Sequence, residues 1–221
     1  MTVPPIRAVV LDMDGLLIDT EPVWRTAARD ILAPLGIDLT DADLLDTTGV
    51  RVDEMAAAFL AKRPGPAPSP ATVADQITDQ VVDYVSRQGE PMPGVPAAIA
   101  LFERSGLRLA IASSSPERLI DAVCARLHLD IEIRCSALDE ANGKPAPDVY
   151  LAAARRLSLS PASCLAVEDS PAGVLAAKHA GMTCVAVPDP LLTGDPRYRR
   201  ADLILPSLTE LDEQTLRAVT T

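Results

Sequence analysis

A chain of 221 residues, 48% apolar and 23% charged, can bury a sizeable core, which excludes disorder along its whole length. Its formal net charge of −11, with the basic residues scattered rather than gathered into a stripe, excludes a nucleic-acid backbone as the expected partner. Cys124, Cys135, Cys164 and Cys184 have no CxxC spacing and sit in apolar segments, so they read as buried thiols of a reducing compartment, not as a disulfide framework or zinc knuckle.

The opening MTVPPIRAVV lacks the basic-then-apolar layout of a signal peptide. No apolar run reaches the roughly 20 residues that span a bilayer, so a cytoplasmic location without a membrane partner is expected. In chain order, AVVLD at 8 to 12 is predicted as the first buried strand. From about 20 to 90 no strand pattern occurs; WRTAARDILAPLG, DADLLDTT, VDEMAAAFLAK and PATVADQITDQVVDYVSRQ read as helices, with PGPAPSP (64 to 70) as a stiff loop. The chain returns near PMPGV at 91 to 95. Beyond it LRLAIAS (107 to 113), IEIRCSA (131 to 137), CLAVED (164 to 169) and TCVAV (183 to 187) alternate with helical stretches. That is the pattern of a parallel sheet covered on both faces, interrupted after its first strand by an all-helical insertion.

Ligands of open α/β sheets bind beyond the carboxyl ends of the strands, where four polar clusters fall. They are Asp12-Met13-Asp14-Gly15, Ser113-Ser114-Ser115, Gly143-Lys144-Pro145 and Glu168-Asp169-Ser170. Alternation along extended backbone lets Asp12 and Asp14 face one side while Met13 faces away. Carboxylates crowded together repel, and with Asp169 and Glu168 arriving from another strand tip they form a hard-oxygen site suited to Mg²⁺ and hence to a phosphate substrate.

Each motif alone reads equally well as a cap or a turn. Ser115 before Pro116 and Ser170 before Pro171 look like N-caps with Pro at the first helical position, leaving helix N-termini where an anion is welcome. Lys144 is either a solvated surface lysine or, with Pro145 and Pro147 fixing its backbone, a phosphate clamp. No Walker A loop, G-x-S-x-G elbow or H-E-x-x-H motif occurs, and His128 and His179 fall in helical stretches as surface or packing residues.

LDMDG, IASSS, GKPAPDVYL and VEDSPAG resemble, in order, the four motifs of the haloacid dehalogenase superfamily, and the helical insertion occupies the place of that family's cap. The fold class the resemblance implies is α/β: a Rossmann-like doubly wound parallel sheet (1–19 and 91–221) with an all-helical cap domain (20–90) inserted after the first strand. It further implies Asp12 as nucleophile, Asp14 as general acid and base, and Ser113 and Lys144 as stabilisers of phosphate and nucleophile. Asp12, the Asp14 carbonyl and Asp169 would bind Mg²⁺, with Glu168 acting through water.

Dehalogenase members lack the second acid of the first motif, so Asp14 argues for phosphate chemistry. Phosphonate-cleaving relatives use a cap lysine, whereas here the cap's only lysine is Lys62, just before the Pro-rich loop. LLIDTEPVW followed by TTGVRVDEM resembles hexose- or hexitol-phosphate phosphatases, and Trp24 stands where sugar mutases of the β-phosphoglucomutase type carry a His. The expectation is a Mg²⁺-dependent phosphomonoester hydrolase, more often monomeric than not, acting on a small sugar or polyol phosphate. Thr20, Trp24, Arg51, Ser114 and Ser115 would shape the substrate side, although Trp24 as a core aromatic and Arg51 as a surface residue are the structural alternatives. The other functional readings are a sugar phosphomutase and a non-catalytic domain that binds a phosphorylated ligand.

Overall fold

The computed structural model describes residues 4–62 and 66–220, so the first residues of the N-terminal run and the start of the PGPAPSP loop lie outside the described residues. One sheet contains β1 (Ala8–Leu11), β2 (Arg108–Ser113), β3 (Ile133–Ser136), β4 (Cys164–Glu168), β5 (Thr183–Ala186) and β6 (Leu203–Ile204). Their order is β3-β2-β1-β4-β5-β6, and every neighbouring pair is parallel. The first five coincide with the predicted strands. The edge strand β6 has two residues, too few to show a period.

β1 sits centrally, with β2 on one side and β4 on the other. The chain winds outward from β1 through β2 to β3, then returns to β4 and winds the other way. The crevice where strand order reverses therefore lies beside β1, at the carboxyl ends of β1 and β4.

Alternation along the strands sorts the core by size. Val9, Leu11, Ile111, Leu165 and Val167 join the larger cluster on one face. Ala8, Val10, Ala110, Ala112, Ala166, Cys184 and Ala186 face the other way, a small-residue floor against which α7 (Asp148–Arg156) and α8 (Pro171–His179) pack through Ala153, Ala154, Ala176 and Ala177. The four cysteines are free and buried, as their apolar settings predict.

Between β1 and β2 lie α1 (Glu21–Leu32), α2 (Asp41–Leu45), α3 (Val52–Leu60), α4 (Pro70–Gln88) and α5 (Val95–Arg104). α4 matches its predicted span because its ends are written in the sequence: Ser69 accepts from the Thr72 amide, Pro70 opens the first turn, and Gly89 follows the last residue. α1 begins before the predicted Trp24, since Glu21-Pro22 is already a helix start. α1 and α3 each pack on α4, burying Ala28, Ala56, Phe59, Val73, Ile77 and Val81, and α4 rests on α6 (Glu117–Leu127). The last element among the described residues is α9 (Glu213–Thr220). Among the described residues no helix is long and apolar enough to cross a membrane.

Candidate active site

Asp12 follows the last residue of β1, and its amide donates to the Val167 carbonyl of β4 at 3.0 Å, so the strand pairing itself fixes its position. Met13 is fully buried on the opposite side, as alternation predicts. Gly15 then turns the chain with φ +76°; a Cβ there would lie 2.1 Å from Asp169 Oδ2, so both the backbone and the neighbouring carboxylate require glycine.

Lys144 is buried between two carboxylates. Its Nζ donates to Asp12 Oδ1 at 2.7 Å and to Glu168 Oε1 at 2.6 Å, and lies 5.3 Å from the centre of the Tyr150 ring. Burial alone would depress the ammonium, but the attraction of Asp12 and Glu168 outweighs it and holds the lysine charged, above its usual range. Glu168 is saturated with donors: Lys144 and the Tyr150 hydroxyl at Oε1, and the Asp169 amide, Ser170 amide and Ser170 hydroxyl at Oε2. Gly173 makes room for this carboxylate, since a Cβ there would fall 1.6 Å from Oε1.

Asp14 collects four side-chain donors: Thr20 Oγ1 (2.5 Å) and Trp24 Nε1 (3.0 Å) on Oδ1, and Ser115 Oγ (2.7 Å) and Ser113 Oγ (3.4 Å) on Oδ2. The expectation that Ser115 caps α6 is corrected here. Pro116 occupies the N-cap with no side-chain cap bond, because the Ser115 hydroxyl is diverted to the carboxylate. Ser170 does cap α8, accepting from the Gly173 amide at 3.0 Å. Thr20 stands at the N-cap of α1 without capping it, its hydroxyl likewise given to Asp14.

Asp12, Glu168 and Asp169 each offer an oxygen, and these oxygens lie within 4.8 Å of one another. Both Asp169 oxygens are buried and have no hydrogen-bond partner, an arrangement that fits a small divalent cation better than any contact the protein offers. The crowding shows in the acidities: burial first, then Glu168, pushes Asp12 up to about 7, and burial with Asp12 and Glu168 drives Asp169 well above the carboxylate range.

A cavity opens over Asp12 and Asp14. Its walls are Ser114 and Ser115 from the sheet side, Trp24 from α1, and Leu44, Val52, Met55 and the turn 47–50 from the helical insertion. The Ser114 hydroxyl donates to the Gly49 carbonyl at 2.7 Å. Thr20 thus meets the site through Asp14, and Trp24, Ser114 and Ser115 line the cavity itself. Arg51 is not brought into it: its guanidinium pairs with Asp53 and donates to the Ala137 and Glu140 carbonyls at 3.2 and 3.1 Å, across the space between the helical segment and the sheet. Tyr150 on Glu168, and Glu21, Arg25 and Thr48 in the cavity wall, also belong here although their sequence context does not single them out. The i, i+4 spacing of Glu21 and Arg25 on a helix opening just beyond the first motif was their only signal. Burial, followed by Asp14, pushes Glu21 up to about 8.

A parallel sheet whose central strand ends in two spaced aspartates, facing a buried lysine and a further acidic pair on β4, defines a class of enzyme. The family model of haloacid dehalogenase-like hydrolases matches residues 6–181, and the chain belongs to this family. It is 38% identical over 214 residues to hexitol phosphatase B of Escherichia coli (strain K12), covering 96% of each chain. It is 38% identical over 225 residues to protein CbbY of Rhodobacter capsulatus, covering 96% of this chain and 97% of the relative. The crystal structure of CbbY from Rhodobacter sphaeroides in complex with phosphate superposes with a TM-score of 0.82 at 30% identity, covering 93% of this chain and 96% of that one.

Proposed function

We propose that the protein is a Mg²⁺-dependent phosphomonoester hydrolase acting on a hexitol phosphate or a similar sugar phosphate through a phospho-aspartyl intermediate on Asp12. The observation that carries the reading is the convergence of Asp12, Asp14, Lys144 and Asp169 at the switch point of the sheet. The substrate class rests on the likeness to hexitol phosphatase B along 96% of the chain.

In the first half-reaction an Asp12 oxygen attacks phosphorus in line, the phosphorus–alcohol oxygen bond breaks, and Asp14 gives its proton to the departing alkoxide. In the second, water attacks the same phosphorus, the bond to Asp12 breaks, and Asp14 takes the water's proton, returning to its starting state. Lys144, held by Glu168, and the Ser113 hydroxyl offset charge on the phosphoryl oxygens. Asp12, Asp169 and the Asp14 carbonyl would hold the magnesium ion, with Glu168 orienting the site from behind; the ion supplies charge neutralisation for the phosphoryl group.

Residues 20–90 act as a cap domain on a core of 1–19 and 91–221. Supporting this, the helices of 20–90 share a packed interior of their own, with α1 and α3 each resting on α4, and polar side chains tie the insertion to the core around the cavity: Thr20 and Trp24 to Asp14, Ser114 to Gly49, and Arg51 to Ala137 and Glu140. Thr20, Trp24, Ser114 and Ser115 shape the substrate side, while Arg51 contributes by latching the cap closed. Such closure excludes bulk water from the acyl phosphate.

The test is phosphate release from a panel of hexitol, hexose and glycolate phosphates with and without Mg²⁺. Inorganic phosphate formed only with the metal supports the reading. An isomeric sugar phosphate in its place would establish the mutase instead, and no turnover of any ester would leave a binding domain.

A further inference from the structure

Among the described residues, four buried side-chain polar atoms have no hydrogen-bond partner in the protein: both carboxylate oxygens of Asp169, Arg25 Nη1 and Thr48 Oγ1. The Asp169 pair faces the cation position. The other two, on α1 and in the turn after α2, line the same cavity as Asp12 and Asp14. A buried donor or hydroxyl left unpaired carries its full desolvation penalty, so two such atoms in one cavity wall call for a ligand that pairs them.

The remaining polar side chains of that wall are already committed. Trp24 and Ser115 donate to Asp14, Ser114 to the Gly49 carbonyl, and Thr47 to the Leu44 carbonyl. Leu44, Val50, Val52 and Met55 are apolar. The groups with capacity to spare are Thr48, only 7% exposed, and the Glu21–Arg25 pair, whose nearest nitrogen and oxygen stand 3.6 Å apart. At that separation the two share no hydrogen bond, so the guanidinium can still donate and the Glu21 carboxyl can still accept.

Resting on the phosphatase reading above, we propose that Thr48 and Arg25, with Glu21, form the subsite that binds hydroxyl groups of the alcohol carried on the phosphate, and so select polyol phosphates over phosphates of apolar alcohols. A hydroxyl both donates and accepts, and adjacent hydroxyls on a polyol match a threonine, a guanidinium and a carboxyl that line one cavity. An alkyl chain in the same place would leave all three unpaired, the strongest form of rejection a binding site offers.

The test is the ratio of kcat/KM for a hexitol phosphate to that for n-hexyl phosphate, measured with Mg²⁺ in the full-length protein, Thr48→Val, Thr48→Ser and Arg25→Met. The ratio should fall on the order of tenfold in Thr48→Val and Arg25→Met and recover in Thr48→Ser, which restores the hydroxyl. A ratio unchanged in both Thr48→Val and Arg25→Met overturns the subsite and leaves the phosphatase reading standing. Should the wild type hydrolyse neither ester, that reading fails by itself. Calorimetric binding of the hexitol phosphate then decides the subsite, which is upheld if Thr48→Val weakens binding and overturned if it does not.

Discussion

The indole Nε1 of Trp24 lies 3.0 Å from Oδ1 of Asp14, the oxygen that also receives the Thr20 hydroxyl. A residue ten positions beyond Asp14 is therefore wired to this proposed proton donor and holds its carboxylate in one orientation. Trp24→Phe keeps an aromatic ring and removes this donor. The expected outcome is a kcat lower on the order of tenfold with KM changed much less, since the lost interaction serves the reacting group. Steady-state kinetics check it, and an unaltered kcat would show that Trp24 serves only packing.

Lys144 is the cation that lets Asp12 and Glu168 share a buried space. Lys144→Met leaves both carboxylates without a partner charge. We expect a loss of about 3–5 kcal/mol in urea denaturation together with loss of turnover. A variant as stable as the wild type would mean that the ammonium does not offset the repulsion.

Stability should depend on pH and metal in one direction. Asp12 and Glu21 are raised by burial to about 7 and about 8. Each keeps its proton in the fold after the unfolded chain has released it at about pH 4. The folded state then binds more protons than the unfolded one, so metal-free stability falls as pH rises from about 4 to about 8. Asp53 and Asp195, lowered by their arginine partners, act in the opposite sense and only below that window. Thermal melts in EDTA should lose on the order of 5 °C across it. Mg²⁺ should raise the midpoint more at pH 8 than at pH 5, because the ion binds the charged carboxylates. A metal-free midpoint that climbs through the window contradicts this electrostatic picture.

Gly173 gives a test in which two effects have opposite signs. Replacing a helical glycine by alanine ordinarily adds up to about 1 kcal/mol of stability. Here the new Cβ would fall 1.6 Å from Glu168 Oε1, inside the bonds that hold Lys144. Gly173→Ala is expected to destabilise by about 3 kcal/mol or more. A stabilised variant would show that Glu168 can move aside freely.

The sheet was legible because β1 and β4 are buried on both faces and β1, β2 and β4 each end in a polar cluster, so Asp12, Ser113 and Glu168 could be placed at strand tips from spacing alone. α4 was legible from Ser69-Pro70 and Gly89, which act on neighbouring backbone. What escaped depends on contacts distant in sequence. The Ser115 hydroxyl leaves its local cap for Asp14, 101 residues away, and Arg51 reaches the Ala137 carbonyl, 86 residues away. Both choices follow from burial, because an unpaired carboxylate or carbonyl costs more than an empty cap. Glu21 and Arg25 look like a surface i, i+4 pair until the fold covers them.

The proposed reaction requires Asp12 to become covalently phosphorylated. Rapid acid quench of the enzyme turning over a hexitol phosphate, followed by peptide mass spectrometry, measures this directly. One phosphoryl group is expected on the peptide containing Asp12, labile to hydroxylamine and absent in Asp12→Asn, which should also be inactive. An Asp12→Asn protein that still releases phosphate, with no adduct trapped on the wild type at any quench time, would contradict it.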